Sequence, residues 1–208
     1  MFKKIKKSHI YNAVLLAFVL LMIFSPGTKA FVSQGLMKIG LFKPNLSAPK
    51  GEIREPSTVA ALENTAELPG NGQPSVLFMD SSGTQTDAAN LNGKVVFINF
   101  WATWCPPCIA EMPSIDKLHQ RFKDHEQVVF LMVDVDNQIV KSEAFMQKRK
   151  LSLPVHVPVG QIPGHWLGNS IPTTVILDKN GMIAARHEGM ADYSRKEVFD
   201  FINELIAE

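Results

Sequence analysis

Two cysteines, the only ones in 208 residues, stand three positions apart in the stretch Trp104-Cys105-Pro106-Pro107-Cys108. Thiols at this spacing can close into a disulfide and reopen, provided the backbone brings the sulfurs together. A helix beginning at or just after Cys105 would do so, because residues i and i+3 share a helix face. Pro106 and Pro107 favour that start, since proline is tolerated in a first turn, whose N–H groups lack partners. Cys105 would then sit at the positive end of the helix dipole, which favours thiolate and nucleophilic attack. Cys108, one turn further in, is the expected resolving thiol. The prolines contribute no N–H, so the donors left for a Cys105 thiolate are those of Cys108 and Ile109.

Several elements must position this pair. Val95 to Trp101 is a continuous apolar run rich in β-branched and aromatic residues, the pattern of a buried central strand. Pro106 to Phe122 carries Ile109, Met112, Ile115 and Leu118 as an apolar helical stripe, and Pro113 is expected to kink that helix without ending it. Upstream, Val76 to Met79 predicts a short strand and Asp87 to Gly93 a turn or loop. Downstream, Val128 to Val135 predicts a strand and Ile139 to Lys150 a helix. Val155 to Val159 reads as an edge strand, because Pro154 and Pro158 cannot donate to a central ladder. Thr173 to Asp178 and Met182 to His187 flank Lys179-Asn180-Gly181, the signature of a hairpin turn. A last amphipathic helix bears Val198, Phe199, Ile202 and Leu205, with Ser194 as its expected cap.

The run Asn99-Phe100-Trp101-Ala102-Thr103-Trp104-Cys105-Pro106-Pro107-Cys108, followed by Glu111-Met112-Pro113, resembles the active site of thioredoxin-fold proteins. Within them it is similar to the extracytoplasmic TlpA/ResA-type thiol–disulfide oxidoreductases. The resemblance covers Pro74 to Glu208 and implies an α/β thioredoxin fold, a mixed sheet flanked by helices. It also implies a central insertion, to be held between Ile139 and Ser170. Ser170-Ile171-Pro172-Thr173-Thr174 matches the family's second motif, which implies a cis Pro172 facing the cysteines. A cis X–Pro turns nearby backbone groups outward, so that a client peptide could add as a short strand beside the sulfur. Ile171 and Thr173 would border that strand, with Trp104, Pro106 and Pro107 on the docking surface. Thioredoxin proper has a buried acid where Asn99 stands, and an amide does not titrate. Glu111 is the candidate substitute acid/base; the competing reading makes it a solvated carboxylate on the outer helix face. Trp101 is expected in or beside the core.

Lys3, Lys4, Lys6 and Lys7 precede an apolar run from Ile10 to Phe24, a positive flank before a hydrophobic segment that reads as an export signal. Thr28-Lys29-Ala30 is a fair cleavage site, but apolar character resumes at Phe31-Val32 and Leu36 to Phe42, favouring an uncleaved anchor. The alternative is a helix buried in the domain. From Lys43 to Gln73 prolines punctuate a polar linker with a short helix expected from Thr58 to Leu68. Composition is that of a globular protein, 46% apolar and 20% charged. From Pro74 onward 12 Lys/Arg face 16 Asp/Glu, a net of −4, which offers nucleic acid no basic surface. His9, His119, His125, His156, His165 and His187 show no zinc-like spacing and read as surface or loop residues. Met112, Met132, Met146, Met182 and Met190 sit at core-like positions. Pro158 to Gly168 is a loop that could border the site, with Trp166 a client contact or a cover for the core.

These readings divide the chain into residues 1–30, a signal peptide or anchor, 31–73, a linker, and 74–208, the thioredoxin-like domain. The expected function is reduction of disulfides in exported proteins, apocytochrome c among them, by the Cys105–Cys108 pair. That pair is the only redox group; no cofactor or metal is expected. The expected partners are disulfide-containing clients, a membrane electron donor and the membrane itself, reached from the extracytoplasmic side by a monomer. Two rivals are a peroxiredoxin-like peroxidase, whose peroxidatic cysteine does not normally sit in such a motif, and a thiol module that handles copper or haem without catalysis.

Overall fold

The computed structural model describes residues 7–24, Pro44 and 75–208. The linker, the candidate cleavage site and the helix expected at Thr58–Leu68 lie outside the described residues. Helix α1 (Lys7–Phe24) follows the basic flank, and its side chains from Tyr11 to Leu20 are exposed, not buried in the domain. Among the described residues no helix is long and apolar enough to cross a membrane.

The domain is built on a seven-stranded sheet with β1 (Leu77–Asp80), β2 (Gln85–Asp87), β3 (Val95–Trp101), β4 (Val128–Asp134), β5 (Val155–Val159), β6 (Thr173–Leu177) and β7 (Ile183–Glu188). Their spatial order is β2-β1-β5-β4-β3-β6-β7. Strand β3 runs parallel to β4 and antiparallel to β6, and every one of its residues is buried. Burial on both faces explains why its sequence is an unbroken apolar run instead of an alternating one. Val95, Phe97 and Trp101 point to one face, where α2 (Pro106–Phe122) and α4 (Lys196–Ala207) pack through Met112, Ile115, Leu118, Val198 and Ile202. Met146 of α3 (Ile139–Arg149) joins that core. Val96, Ile98 and Phe100 point to the other face, against Phe78, Leu131 and Trp166.

Strand β5 is interior: it lies between β1 and β4, antiparallel to the first and parallel to the second. The edge-strand expectation fails because its ladder with β4 spans only Val155 and His156. Pro154 contributes its carbonyl to Met132 of β4. Alternation then turns the missing Pro158 donor toward β4 beyond the end of that ladder, where none is needed. The expected insertion is thus partly a strand that widens the sheet. Strand β2 was not anticipated; it forms a hairpin with β1, and Asp87 ends it by accepting from Val76 N (3.2 Å) and Ala89 N (3.0 Å).

Other local expectations change as well. Ser194 does not cap α4; its hydroxyl donates to Asp192 Oδ1 (2.7 Å), and Arg195 takes the cap position with no side-chain capping bond. Met182 is exposed at the hairpin turn. Trp166 is buried in the second core and covers the sheet, so it is no client contact. His156 is a buried strand residue, and His119 lies on α2. Helix α2 continues through Pro113 as expected.

Candidate active site

Strand β3 ends at Trp101, and four residues later Cys105 occupies the N-cap of α2 in an extended conformation (φ −85°, ψ 104°). Pro106 and Pro107 fill the first two helical positions, where their missing N–H groups cost nothing. The Cys105 sulfur takes the role of a capping oxygen and accepts from Cys108 N (3.3 Å). Ile109 N, the other expected donor, instead bonds the Cys105 carbonyl (3.0 Å). The two cysteines form a disulfide and are almost fully covered, Cys105 2% and Cys108 1% exposed.

Facing the sulfurs is the start of β6. The Ile171–Pro172 peptide is cis, and the Ile171 carbonyl oxygen lies 3.9 Å from the Cys105 sulfur. Pro172 is buried and its own carbonyl accepts from Gly189 N (2.8 Å). Thr173 is also buried, with its hydroxyl donating back to Ser170 O (2.8 Å), so it shapes the loop instead of facing outward. Cys105, Cys108, Ile171 and Pro172 therefore converge. Pro106, Pro107 and Ile171 are half-buried at the rim, and Trp104 stands 59% exposed beside them.

Trp104 is held from the far side. Its indole N–H donates to Asp136 Oδ2 (2.6 Å), in the loop after β4. Buried Asp134 builds that loop by accepting from Asp136 N (3.1 Å), Gln138 N (2.9 Å) and Ser142 Oγ (2.8 Å). Replacing Asp134 with alanine would leave those donors unpaired, and is expected to cost about 2 kcal/mol. Urea unfolding checks this as a lowered midpoint at constant slope.

Glu111 is not solvated. It is fully buried beneath the start of α2, where Oε1 accepts from Asn99 Nδ2 (2.8 Å) and Oε2 from Ala191 N (3.1 Å). The segment Met190–Tyr193 closes over this side of the helix, tied down further by Tyr193 N donating to Ser114 Oγ (3.0 Å). Burial pushes the Glu111 carboxyl up to about 8, against the two donors, which pull it down. Behind it Thr174 Oγ1 accepts from Asn99 Nδ2 (2.9 Å) and from the buried Tyr193 hydroxyl (2.7 Å). Burial first, then the Glu111 charge, holds the Tyr193 phenol well above its ordinary range. Thr174, Ala191, Tyr193 and Asp136 escaped sequence reasoning. Thr174 could have been found as Asn99's cross-strand neighbour, but nothing local marks Tyr193 or Asp136.

A thiol pair at a helix N-terminus, with a buried proton-holding carboxyl on the same helix, can carry out dithiol–disulfide exchange. Known proteins agree with this chemistry. The family model described as Redoxin matches residues 68–200. A thiol-disulfide oxidoreductase ResA of Bacillus cereus is 31% identical over 118 residues, covering 56% of this chain and 68% of that protein. ResA of Geobacillus kaustophilus is 33% identical over 122 residues, covering 58% of this chain and 70% of its own length. Among solved structures, a secreted thiol-disulfide isomerase from Corynebacterium glutamicum superposes with a TM-score of 0.53 at 26% identity, covering 65% of this chain and 85% of that one. The sequence motif, the mixed sheet and these relatives together make the chain a member of the Redoxin family, a ResA-type thiol–disulfide oxidoreductase of thioredoxin fold.

Proposed function

We propose that this oxidoreductase works as a reductant of disulfides in exported proteins, with apocytochrome c thiol pairs as one client class. The observation that carries the assignment of roles is the placement of Cys105 at the N-cap of α2, beside the Ile171 carbonyl and the cis Pro172. The reduced Cys105 thiolate attacks one sulfur of a client disulfide; a new S–S bond forms and the client's other sulfur leaves as a thiolate, which takes a proton. Cys108 then loses its proton to Glu111, one helical turn away, and attacks the Cys105 sulfur. The client's second sulfur leaves, and the pair is left oxidised as in this structure. With a proton affinity near 8 the carboxyl is mostly protonated at neutral pH, and its ionised fraction, which grows as pH approaches 8, accepts that proton. Electrons return from a membrane donor. The exposed apolar helix α1 serves as the tether on the extracytoplasmic side, and the domain acts as a monomer.

Client segments dock across Trp104, Pro106, Pro107 and Ile171, lying extended against the Ile171–Pro172 segment that precedes β6. Trp104→Ala is expected to raise KM for a protein client about tenfold, the effect of losing one aromatic contact. Turnover of a small soluble disulfide should change far less, and comparing the two substrates checks the role.

The direction of electron flow is tested by the equilibrium potential of the Cys105–Cys108 pair in glutathione or dithiothreitol buffers. A value near or below thioredoxin's, about −270 mV, supports the reductant reading. A value close to DsbA's, about −120 mV, makes the protein an oxidant and reverses the proposal.

A further inference from the structure

The Asp136 carboxylate that holds Trp104 has bonding capacity left over. Its Oδ2 accepts from the indole N–H (2.6 Å), and no other hydrogen bond reaches the carboxylate among the described residues. No base pairs with it either: the ion pairs among the described residues are Arg186–Glu188, Arg195–Glu197 and Lys196–Asp200. The other carboxylates near the sulfurs are occupied. Asp134 accepts from three donors and Glu111 from two. The segments around the sulfurs, residues 101–111, 134–140 and 169–174, contain no lysine or arginine. Half-buried Asp136 therefore brings an uncompensated negative charge to the rim of the site, directly against an exposed aromatic ring.

The pair is set before any client arrives. Buried Asp134 fixes the backbone of Asp136 and Gln138, and Val135 N donates to Trp101 O (3.0 Å) at the end of β3. Trp104 is pinned by its edge, so its faces keep one orientation. A tryptophan face attracts a cation more strongly than any other side-chain ring. The hydrogen bond to a carboxylate polarises the indole in the same sense. A long basic side chain can lay its methylene stem along the ring and bring its charge to the open carboxylate oxygen. An acidic side chain meets repulsion there, and a neutral one gains contact area alone. We propose that Trp104 and Asp136 form a subsite for a lysine or arginine side chain of the client. Trp104 immediately precedes Cys105, so the basic residue lies within a few positions of the client's disulfide. The subsite rests on the docking face proposed above and adds a charge preference to it.

The test compares kcat/KM of the full-length protein for disulfide-bonded peptides that differ at one residue, Lys, Gln or Glu. That residue is placed in turn at each of the few positions flanking the disulfide. At the best position and low salt the Lys peptide is expected to react about five- to tenfold faster than the Gln peptide, the size of one exposed cation–π contact plus one exposed ion pair. The Glu peptide should be slower than both, and the spread should narrow at about 0.5 M salt. Asp136→Asn keeps an amide oxygen for the indole N–H and removes the charge; its Lys-to-Gln ratio is expected to fall toward one. Trp104→Leu should lower the same ratio, which keeps the question answerable if Asp136→Asn does not fold. Equal rates for the Lys and Gln peptides at every position overturn the proposal, and so does a ratio in Asp136→Asn as large as in the wild type. If the protein oxidises the dithiol peptides instead of reducing the disulfides, the direction proposed above fails, and the same ratios read from oxidation rates still decide the subsite.

Discussion

Cys105→Ser is expected to lower client-disulfide reduction by at least about three orders of magnitude, to background, because it removes the attacking atom itself. Cys108→Ser should behave differently. Its Cys105 still attacks, but nothing releases the product, so a mixed disulfide with the client accumulates and dissolves on adding dithiothreitol. The asymmetry follows from geometry. Cys105 is the residue at the helix N-cap, beside the Ile171 carbonyl, while Cys108 lies inside the first turn with its N–H pointed at the Cys105 sulfur. Non-reducing electrophoresis of both variants with a disulfide-bonded client reads the outcome. A trapped complex with Cys105→Ser and none with Cys108→Ser would exchange the two roles. Robust peroxide turnover by Cys108→Ser would instead favour the peroxidase chemistry.

Glu111→Gln is expected to flatten the pH dependence of stability. The Glu111 carboxyl rises from an ordinary 4.5 to about 8 on folding, chiefly through burial, so the folded state holds a proton that the unfolded chain gives up. The sign is therefore fixed. The neutral carboxyl's contribution is complete below about 4.5, is lost as pH climbs, and is gone above about 8. Across that window the loss is on the order of 4–5 kcal/mol, at about 1.36 kcal/mol per pH unit. His119, His156 and His187 have proton affinities lowered by burial and act in the opposite sense, but they cancel when variant and wild type are compared. Urea unfolding of the oxidised protein at several pH values between about 4 and 9 should show Glu111→Gln gaining on the wild type as pH rises. Parallel curves would mean that the carboxyl is not held as the structure places it. In turnover, the same variant should slow the step that deprotonates Cys108 roughly a hundredfold, the range of one general base.

Much of the site was legible because its determinants are local. Two prolines after a cysteine favour a helix start there, and a continuous apolar run before it favours a buried strand; both signals lie within a few residues. The hairpin around Lys179-Asn180-Gly181 is equally self-contained, with Gly181 at φ 76° as the turn requires. The position of Pro172 came through likeness to a family, since nothing in a short Ile-Pro-Thr stretch announces which isomer it adopts or what it faces.

The chain by itself thus determined the thiol pair, the helix that presents it and the strand beneath it, because capping and periodicity act within a few residues. Tertiary structure decided the rest. Glu111 reads as an outer-face charge until a segment 80 residues later lays Ala191 N against it. Strand β5 reads as an edge until β1 pairs with its other side, leaving its prolines where no donor is needed. Trp166 becomes core, and Tyr193 becomes part of the Glu111 environment, only once strands distant in sequence are neighbours. Burial and proton affinity are properties of what closes over a side chain, and that is settled by long-range packing, not by the residues beside it.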